Sequence, residues 1–286
     1  MSKLDNPMLP LWIKYPEISR YSIGWRMGYG ESYVHEFNSW YQSLSPAEQK
    51  SYEERYPSPT LWKGYYNDED EDAEDEENSL FYEYGDYFIE FWRPEGEPLY
   101  SRQQLAKDYN AGKKLKFLYF WGHQPSADGS ITKTCLSQWW MSDFMVYKDY
   151  CCMEQYMMAE KADLFGDKEM EKQIMASRSP KNIKALGRKV KNFRAEIWDK
   201  VKHSIILTGS YYKFTQNKKL LKFLLSTKGK ILVEASPYDK VWGSGMGADH
   251  PNAGNPNKWT GENLLGFALM ELRDALCRVY AKTALE

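Results

Sequence analysis

The chain has 286 residues and a mass of 33.6 kDa, which favours one large domain or a domain with a smaller appendage. With 42% hydrophobic, 16% aromatic and 27% charged residues, the composition excludes a disordered, collagenous or coiled-coil protein. No apolar run approaches the roughly 18 residues of a membrane span. Since residues 1–16 also lack a signal-peptide pattern, we expect a soluble protein with no membrane partner.

Cysteine and histidine usage bears on redox compartment and metal binding. Four cysteines, with Cys151 next to Cys152, are too few for a disulfide scaffold and favour a reducing cytoplasm. The sequence has no CxxC motif and no pair of histidines at ligand spacing. We therefore predict no structural zinc site, and we also expect no cofactor.

The net charge of −2 conceals two regions of opposite charge. Residues 1–112 contain 10 Lys and Arg against 22 Asp and Glu, whereas residues 161–230 contain 18 against 6. Nine of the acids lie in the run 68–77, which repels itself and cannot fold alone. The run is either a solvated linker or an acidic flap that competes with an anionic ligand for the basic segment.

Residues 1–112 are interpreted as an aromatic-rich N-terminal appendage with some strand content. Hydrophobic spacing and the cap residues Ser45 and Ser101 predict three helices. These helices cover 31–44, the segment from Pro46, and 101–112. Residues 81–92 predict a strand pair that folds at Gly85-Asp86.

Residues 113–286 alternate between strand and helix patterns and predict a helix-dominated α+β domain with a few strands. The predicted strands are 116–121 and 230–235. The predicted helices are 151–165, 169–176, 179–190, 194–214 with a possible interruption at Gly209, 218–225, and 260–280 capped by Thr260. A glycine-rich loop, 242–257, separates the second strand from the last helix.

The helix predicted over 151–165 carries an acid and an amine, Glu154 and Lys161, two turns apart on one face. Burial in one pocket would lower the pKa of the lysine and make its neutral amine a usable nucleophile. The alternative is that both charged ends extend to solvent.

The loop after the second strand contains Glu234, Asp239, Trp242, Gly243 and Gly245. Its glycines could expose backbone amides to a phosphate, but the G-x-G-x-x-G spacing is absent and no helix follows at once. The loop is therefore either a phosphate site, with Asp239 on a ribose and Trp242 on a base, or a flexible connection.

Aromatic and basic residues suggest, without requiring, a nucleic-acid ligand. Trp139-Trp140 and Trp198 are either core residues or base-stacking surfaces. The basic segment, which includes Arg188 and Lys213, is either a phosphate footprint or a set of solvated helix faces.

Taken in chain order, these stretches resemble the YbiA-like or NADAR family over about residues 115–278. The matching residues are Leu136-Ser137-Gln138-Trp139-Trp140, Met153-Glu154-Gln155-Tyr156, Lys161-Ala162, Phe165-Gly166-Asp167, Ser179-Pro180, Lys184-Ala185-Leu186-Gly187-Arg188, Trp198, Lys213-Phe214-Thr215-Gln216-Asn217, Leu224-Leu225-Ser226-Thr227, Leu232-Val233-Glu234-Ala235-Ser236, Tyr238-Asp239, Trp242-Gly243, Gly245, Gly261-Glu262-Asn263-Leu264-Leu265-Gly266, Met270 and Arg273. The chain departs from the family at Gln138-Trp139-Trp140, where the family commonly has Asn-Phe.

The resemblance implies cleavage of an N-glycosidic bond between a ribose and an exocyclic amine, without a metal. The family substrates are ribosylaminopyrimidine intermediates of riboflavin synthesis, and ADP-ribose attached to the amino group of guanine in nucleic acid. Such a bond is an aminal, so a lysine can exchange onto C1′ as a Schiff base. We assign this role to Lys161 with Glu154 as acid or base; the alternative uses water with Glu154 and either Asp239 or Glu234.

The resemblance also suggests ligand-binding roles for other residues. Phosphate would contact Lys213, Arg188 and the loop at Gly243 and Gly245. A base would stack on tryptophans, and an amide in the first turn of the last helix would orient the site. These last residues are Trp140, Trp198, Trp242 and Asn263.

The sequence thus favours an N-glycoside hydrolase that removes ADP-ribose from guanine in nucleic acid, in an antitoxin or repair role with a cognate ADP-ribosyltransferase toxin as a potential partner. The basic segment suits a polyanionic substrate. The alternatives are a hydrolase for riboflavin-synthesis intermediates and a non-catalytic module that binds ADP-ribose or NAD.

Overall fold

The computed structural model describes residues 3–15, 25, 30–58, 62, 64–66, 98–146 and 148–279. The chain divides into two compact units, one formed by 1–96 with 278–286 and one formed by 97–277. The acidic run 68–77 and the strand pair predicted over 81–92 lie outside the described residues.

The first unit contains three described helices: α1 (Leu11–Lys14), α2 (Glu31–Gln42) and α3 (Pro46–Arg55). The helices predicted from the spacing after residue 31 and from Ser45-Pro46 are confirmed. Ser45 and Glu48 form a reciprocal capping box that satisfies two free backbone N–H groups at the start of α3. The core is aromatic, with Tyr52 fully buried and its hydroxyl donating to Met8 O at 2.7 Å.

The second unit is dominated by helices and has four short strands among its described residues. The helices are α4 (Arg102–Asn110), α5 (Met153–Leu164), α6 (Lys168–Ala176), α7 (Pro180–Gly187), α8 (Ala195–Thr215), α9 (Lys218–Ser226) and α10 (Leu264–Val279). The strands are β1 (Phe117–Phe120), β2 (Phe144–Met145), β3 (Asp149–Tyr150) and β4 (Ile231–Glu234). This arrangement confirms the predicted helix-dominated α+β class.

The strands β1 and β4 pair in parallel, with Phe120 opposite Glu234 at their carboxyl ends. β2 and β3 form a separate antiparallel pair. Because Leu232 and Val233 are fully buried, β4 lies in the core and delivers Glu234 to the strand end. Polar side chains at the end of a buried parallel pair are well placed for a site.

The buried helix α5 packs against α6, α7 and α8. Gly209 lies within α8, where a Cβ atom would meet the Tyr156 ring of α5 at 2.3 Å. The glycine thus permits close helix approach, and α8 continues through it without the predicted interruption.

Several boundaries differ from the prediction, and α7 ends at Gly187 although the predicted helix runs to residue 190. The last helix begins at Leu264, and Thr260, the predicted cap, instead donates its hydroxyl to Gly245 O at 3.1 Å. The helix α4 lies in the second unit, where Arg102 donates to Trp259 O at 2.7 Å, and the predicted domain boundary at residue 112 stays a prediction.

Within the described ranges, no helix is long and apolar enough to cross a membrane.

Candidate active site

An ion pair joins α7 to the loop after β4. Lys184 Nζ lies 3.2 Å from Asp239 Oδ2. Asp239 Oδ1 accepts from the backbone N–H groups of Val241 and Trp242 at 3.0 and 2.9 Å. These bonds fix the carboxylate, which in turn holds the ammonium group of Lys184 at the loop.

Glu154 lies in the first turn of α5 and is 1% exposed. Its Oε2 accepts from Trp139 Nε1 at 3.0 Å, whereas Oε1 is buried with no hydrogen-bond partner. Burial raises the pKa of Glu154 to about 7; Asp239 adds to the rise, and Lys184 and Arg188 oppose it. A carboxyl group that is half protonated near neutral pH can donate or accept a proton.

Glu234 supplies a second carboxyl group to the same surroundings. Burial raises the pKa of Glu234 to about 8, with further increases from the charges of Asp239 and Glu154 and an opposing effect from Lys184. Its Oε2 is buried without a hydrogen-bond partner. Glu154, Glu234, Asp239 and Lys184 therefore form one electrostatic group, which we call the acidic cluster.

Asn263 holds the end of β4 in place. Its Oδ1 accepts from the backbone N–H of Glu234 at 2.9 Å, and its Nδ2 donates to Leu232 O at 3.0 Å. The residue is fully buried with a φ of 56°, a left-handed conformation that asparagine tolerates better than most residues. The structure therefore gives Asn263 a positioning role through the backbone of Glu234.

The glycines of the loop after β4 allow close backbone approach. A Cβ atom on Gly243 would meet Glu234 O at 3.0 Å, and one on Gly245 would meet Thr260 Oγ1 at 2.2 Å. Ser244 N–H donates to Glu234 O at 2.9 Å, so this amide is occupied by the protein. Tight packing therefore explains Gly243 and Gly245 without a phosphate.

Lys161 has a different set of neighbours from Glu154. Its Nζ donates to Gly187 O at 3.0 Å and lies 4.1 Å from the Phe193 ring centroid and 5.7 Å from that of Trp198. Partial burial lowers its pKa. These contacts of Lys161 Nζ do not include Glu154, which lies two turns earlier on the same helix face.

Lys213 is not placed for the predicted phosphate contact. It is 1% exposed, and its Nζ donates to Cys135 O at 2.7 Å and to Ser137 O at 2.9 Å. Burial lowers its pKa to about 8. Lys213 therefore anchors the segment that leads to Trp139.

The tryptophans predicted to stack on a base differ in accessibility. Trp140 and Trp242 are 8% and 9% exposed, so both are core residues and lack a free ring face. Trp198 is half-buried beside Lys161. Arg188 is exposed, and its positive charge opposes the rise in the pKa of Glu154. This position suits an anion contact at the edge of the site.

Lys184 was missing from the predicted set, and Trp139 was predicted only as a core or base-stacking residue. Lys184 and Trp139 both lie in the stretches that resemble the family, but their partners are distant in the chain. The position of Lys184 could have indicated its role, because it lies three residues before Gly187-Arg188 on a helix that is capped by Ser179. Among the described residues, no group of three or more His, Cys, Asp or Glu side chains could hold a metal ion.

A model of the NADAR domain matches residues 119–277. The chain is 44% identical over 165 residues to N-glycosidase R617 of Acanthamoeba polyphaga mimivirus, a match that covers 56% of this chain and 95% of that protein. It is 32% identical over 129 residues to N-glycosidase YbiA of Shigella boydii, covering 45% of this chain and 72% of that protein.

A third relative is the chloroplastic riboflavin biosynthesis protein PYRR of Arabidopsis thaliana. It is 35% identical over 104 residues, a match that covers 35% of this chain but only 16% of that protein. The family model covers more than half of the chain, including every member of the acidic cluster. The chain therefore belongs to the NADAR domain family.

Proposed function

We propose that this protein is an N-glycosidase that hydrolyses the bond between ADP-ribose and the amino group of guanine in nucleic acid. The observation that carries the proposal is the acidic cluster, in which an ion-paired lysine interacts with two carboxyl groups of raised pKa and lies 5.9 Å from the ring of Trp139, the donor to Glu154. Relatives named N-glycosidases support the bond type. Exposed basic residues after α7, namely Arg188, Lys189, Lys191 and Arg194, suit a polyanionic substrate.

The proposed reaction begins with opening of the ribose ring. The nitrogen lone pair forms a C1′=N bond as the C1′–O4′ bond breaks, and protonated Glu154 gives its proton to O4′. The raised pKa of Glu154 keeps this proton available near neutral pH.

A lysine then replaces guanine at C1′. Lys184 gives one proton to the Glu154 carboxylate that the first step leaves and adds to C1′; the guanine nitrogen takes a second proton from the attached lysine nitrogen and leaves as an amine. Water adds to the resulting Schiff base and releases the lysine, so one water molecule is consumed for each bond broken. We assign this role to Lys184 in place of Lys161, because Lys184 pairs with Asp239 and its charge acts on both Glu154 and Glu234.

Hydrolysis of a ribosylaminopyrimidine is the second candidate function. In this substrate too, the ribose C1′ is bonded to an exocyclic amine. The similarity to the riboflavin biosynthesis protein PYRR favours this function. The third candidate, binding of ADP-ribose or NAD without turnover, would make no use of the proton held by Glu154.

Release of ADP-ribose from a single-stranded DNA that carries ADP-ribosylated guanine tests the proposal, with a ribosylaminopyrimidine phosphate as the competing substrate. We expect cleavage of the DNA adduct and its loss in Glu154→Gln. Glu160→Gln is the matched control, because Glu160 lies on the same helix and burial also raises its pKa to about 7, but it pairs with Tyr150. Cleavage of the pyrimidine alone would favour the second function, and binding without cleavage the third.

A further inference from the structure

Two exposed aromatic rings lie beside the acidic cluster and take no part in the chemistry described above. Trp121 is 55% exposed and Tyr238 is 86% exposed. Their ring centroids are 6.4 Å apart, and their planes are inclined by 48°. Since large aromatic side chains gain free energy from burial, two such rings left in water next to a site indicate a binding surface.

Both rings are attached to the backbone segments that carry the acidic cluster. Trp121 directly follows Phe120, which is the register partner of Glu234 at the end of the parallel strands. Tyr238 directly precedes Asp239, the partner of Lys184. The aromatic pair and the carboxyl groups Glu234 and Asp239 are therefore carried by the same two paired segments.

The backbone that presents Tyr238 is fixed by hydrogen bonds. Ser236 Oγ accepts from the N–H groups of Tyr238 and Asp239 at 3.4 and 3.2 Å. The next turn is held by Asp239 Oδ1, which accepts from two further N–H groups. Because the backbone is already ordered, stacking on the ring requires little additional loss of conformational entropy.

The charge of the surroundings selects among ligands that stack on aromatic rings. The segment after α7 places exposed Arg188, Lys189, Lys191 and Arg194 close in sequence to Lys184. Exposed aromatic rings combined with basic side chains are typical of surfaces that bind single-stranded nucleic acid, where bases stack and phosphates meet cations.

We propose that Trp121 and Tyr238 form a stacking platform for an unpaired base that neighbours the modified guanine in a single strand. The inference rests on the proposed function and specifies its substrate as single-stranded nucleic acid. A duplex would bind less well because its bases are already paired and stacked. Stacking needs no hydrogen bond to a base edge, so the platform tolerates any neighbouring base.

Binding of an unmodified, fluorescein-labelled single strand of about eight nucleotides to the full chain tests the platform without requiring turnover. We expect Trp121→Ala and Tyr238→Ala each to raise the Kd about 5- to 150-fold, and Tyr238→Phe to retain binding. Tyr109→Ala is the matched control, since Tyr109 is a tyrosine of the same unit that is 40% exposed. An unchanged Kd in both alanine variants would overturn the proposal.

Two further measurements separate stacking from other effects. The alanine variants remove no charge, so the slope of log Kd against log salt should stay as in the parent protein. Free ADP-ribose tests whether its adenine occupies the platform instead. If the variants weaken ADP-ribose binding and leave the oligonucleotide unaffected, the proposal is wrong.

The outcomes for the platform and for the proposed function are distinguishable. Loss of oligonucleotide binding in the two variants, with no cleavage of the guanine adduct by the parent protein, would support the platform and contradict the N-glycosidase proposal. Cleavage of the adduct with equal oligonucleotide binding by all variants would support the N-glycosidase proposal and contradict the platform.

Discussion

Lys184 Nζ lies 3.2 Å from Asp239 Oδ2, and this contact ties helix α7 to the loop after the buried strand β4. Both side chains are partly exposed, so the ion pair contributes little to stability. Its consequence is positional, because it places an amine and a carboxylate beside the buried carboxyl groups of Glu154 and Glu234.

Borohydride reduction during turnover is expected to attach the ribose to Lys184. Lys184→Arg should lower kcat/KM by at least about 100-fold, since arginine cannot form the Schiff base. Lys161→Arg should retain most activity, because Lys161 contacts Gly187 O and the Phe193 ring. Peptide mass mapping of the reduced protein distinguishes the two lysines. An adduct on Lys161 would contradict the assignment, and turnover with no adduct would favour attack by water.

The pH dependence of kcat/KM should report the proton of Glu154. Burial raises the pKa of this carboxyl group to about 7, so the acid form is present below neutral pH and is lost above it. If Glu154 protonates O4′, activity should fall as the pH rises through about 7. Steady-state kinetics from pH 5.5 to 9 are the measurement. Glu160→Gln should show the same fall in activity above about pH 7 as the parent protein. If the residual activity of Glu154→Gln also followed the parent profile, Glu154 would not be the acid that protonates O4′.

Glu234 should make the protein less stable as the pH rises. The folded state holds a proton up to about pH 8, whereas an unfolded glutamate releases it near its ordinary pKa of 4.5. The folded state therefore binds more protons between these values, and stability is lost with increasing pH. Glu234→Gln should remove a loss on the order of 3–5 kcal/mol between pH 5 and 8. Thermal unfolding at the two pH values is the test, with exposed Glu196→Gln as the control. If stability fell equally between the two pH values in Glu234→Gln and Glu196→Gln, the expectation would be wrong.

The sequence predicted the secondary structure well where the signals are local. Ser45 and Ser101 each accept from a backbone N–H three residues on, as the cap predictions require. Thr260 failed as a cap because its hydroxyl binds Gly245 O, a contact made across a loop.

The members of the site could not be derived from periodicity. Lys184 and Asp239 are 55 residues apart, and only the packing of α7 against α5 brings the lysine near Glu154. Helix spacing instead suggested Lys161, which does share a face with Glu154 but lies two turns away. The burial of Lys213 could not be predicted from the sequence either. Its carbonyl acceptors, Cys135 and Ser137, lie more than 70 residues earlier in the chain.

Asn263 should contribute stability through its side chain and activity through Glu234. Asn263→Ala would leave the buried N–H of Glu234 and the carbonyl of Leu232 without partners, at a cost of about 2–4 kcal/mol. Asn192→Ala is the matched control, because Asn192 has the same φ of 56° but is exposed. The difference in unfolding free energy between the variants, measured in urea, isolates the two hydrogen bonds from backbone strain. Equal losses would show that strain accounts for the whole effect.

Lys213 should behave as a structural residue and not as a phosphate ligand. Lys213→Ala would leave the carbonyl groups of Cys135 and Ser137 unpaired in the core, and we expect a loss of about 2–4 kcal/mol in unfolding free energy. Lys222→Ala, an exposed lysine on α9, should change stability little. The salt dependence of oligonucleotide affinity gives the second readout. A buried ammonium group releases no counterions when nucleic acid binds, so folded Lys213→Met should show the same salt slope as the parent protein. A slope reduced by about one unit would instead support the phosphate contact.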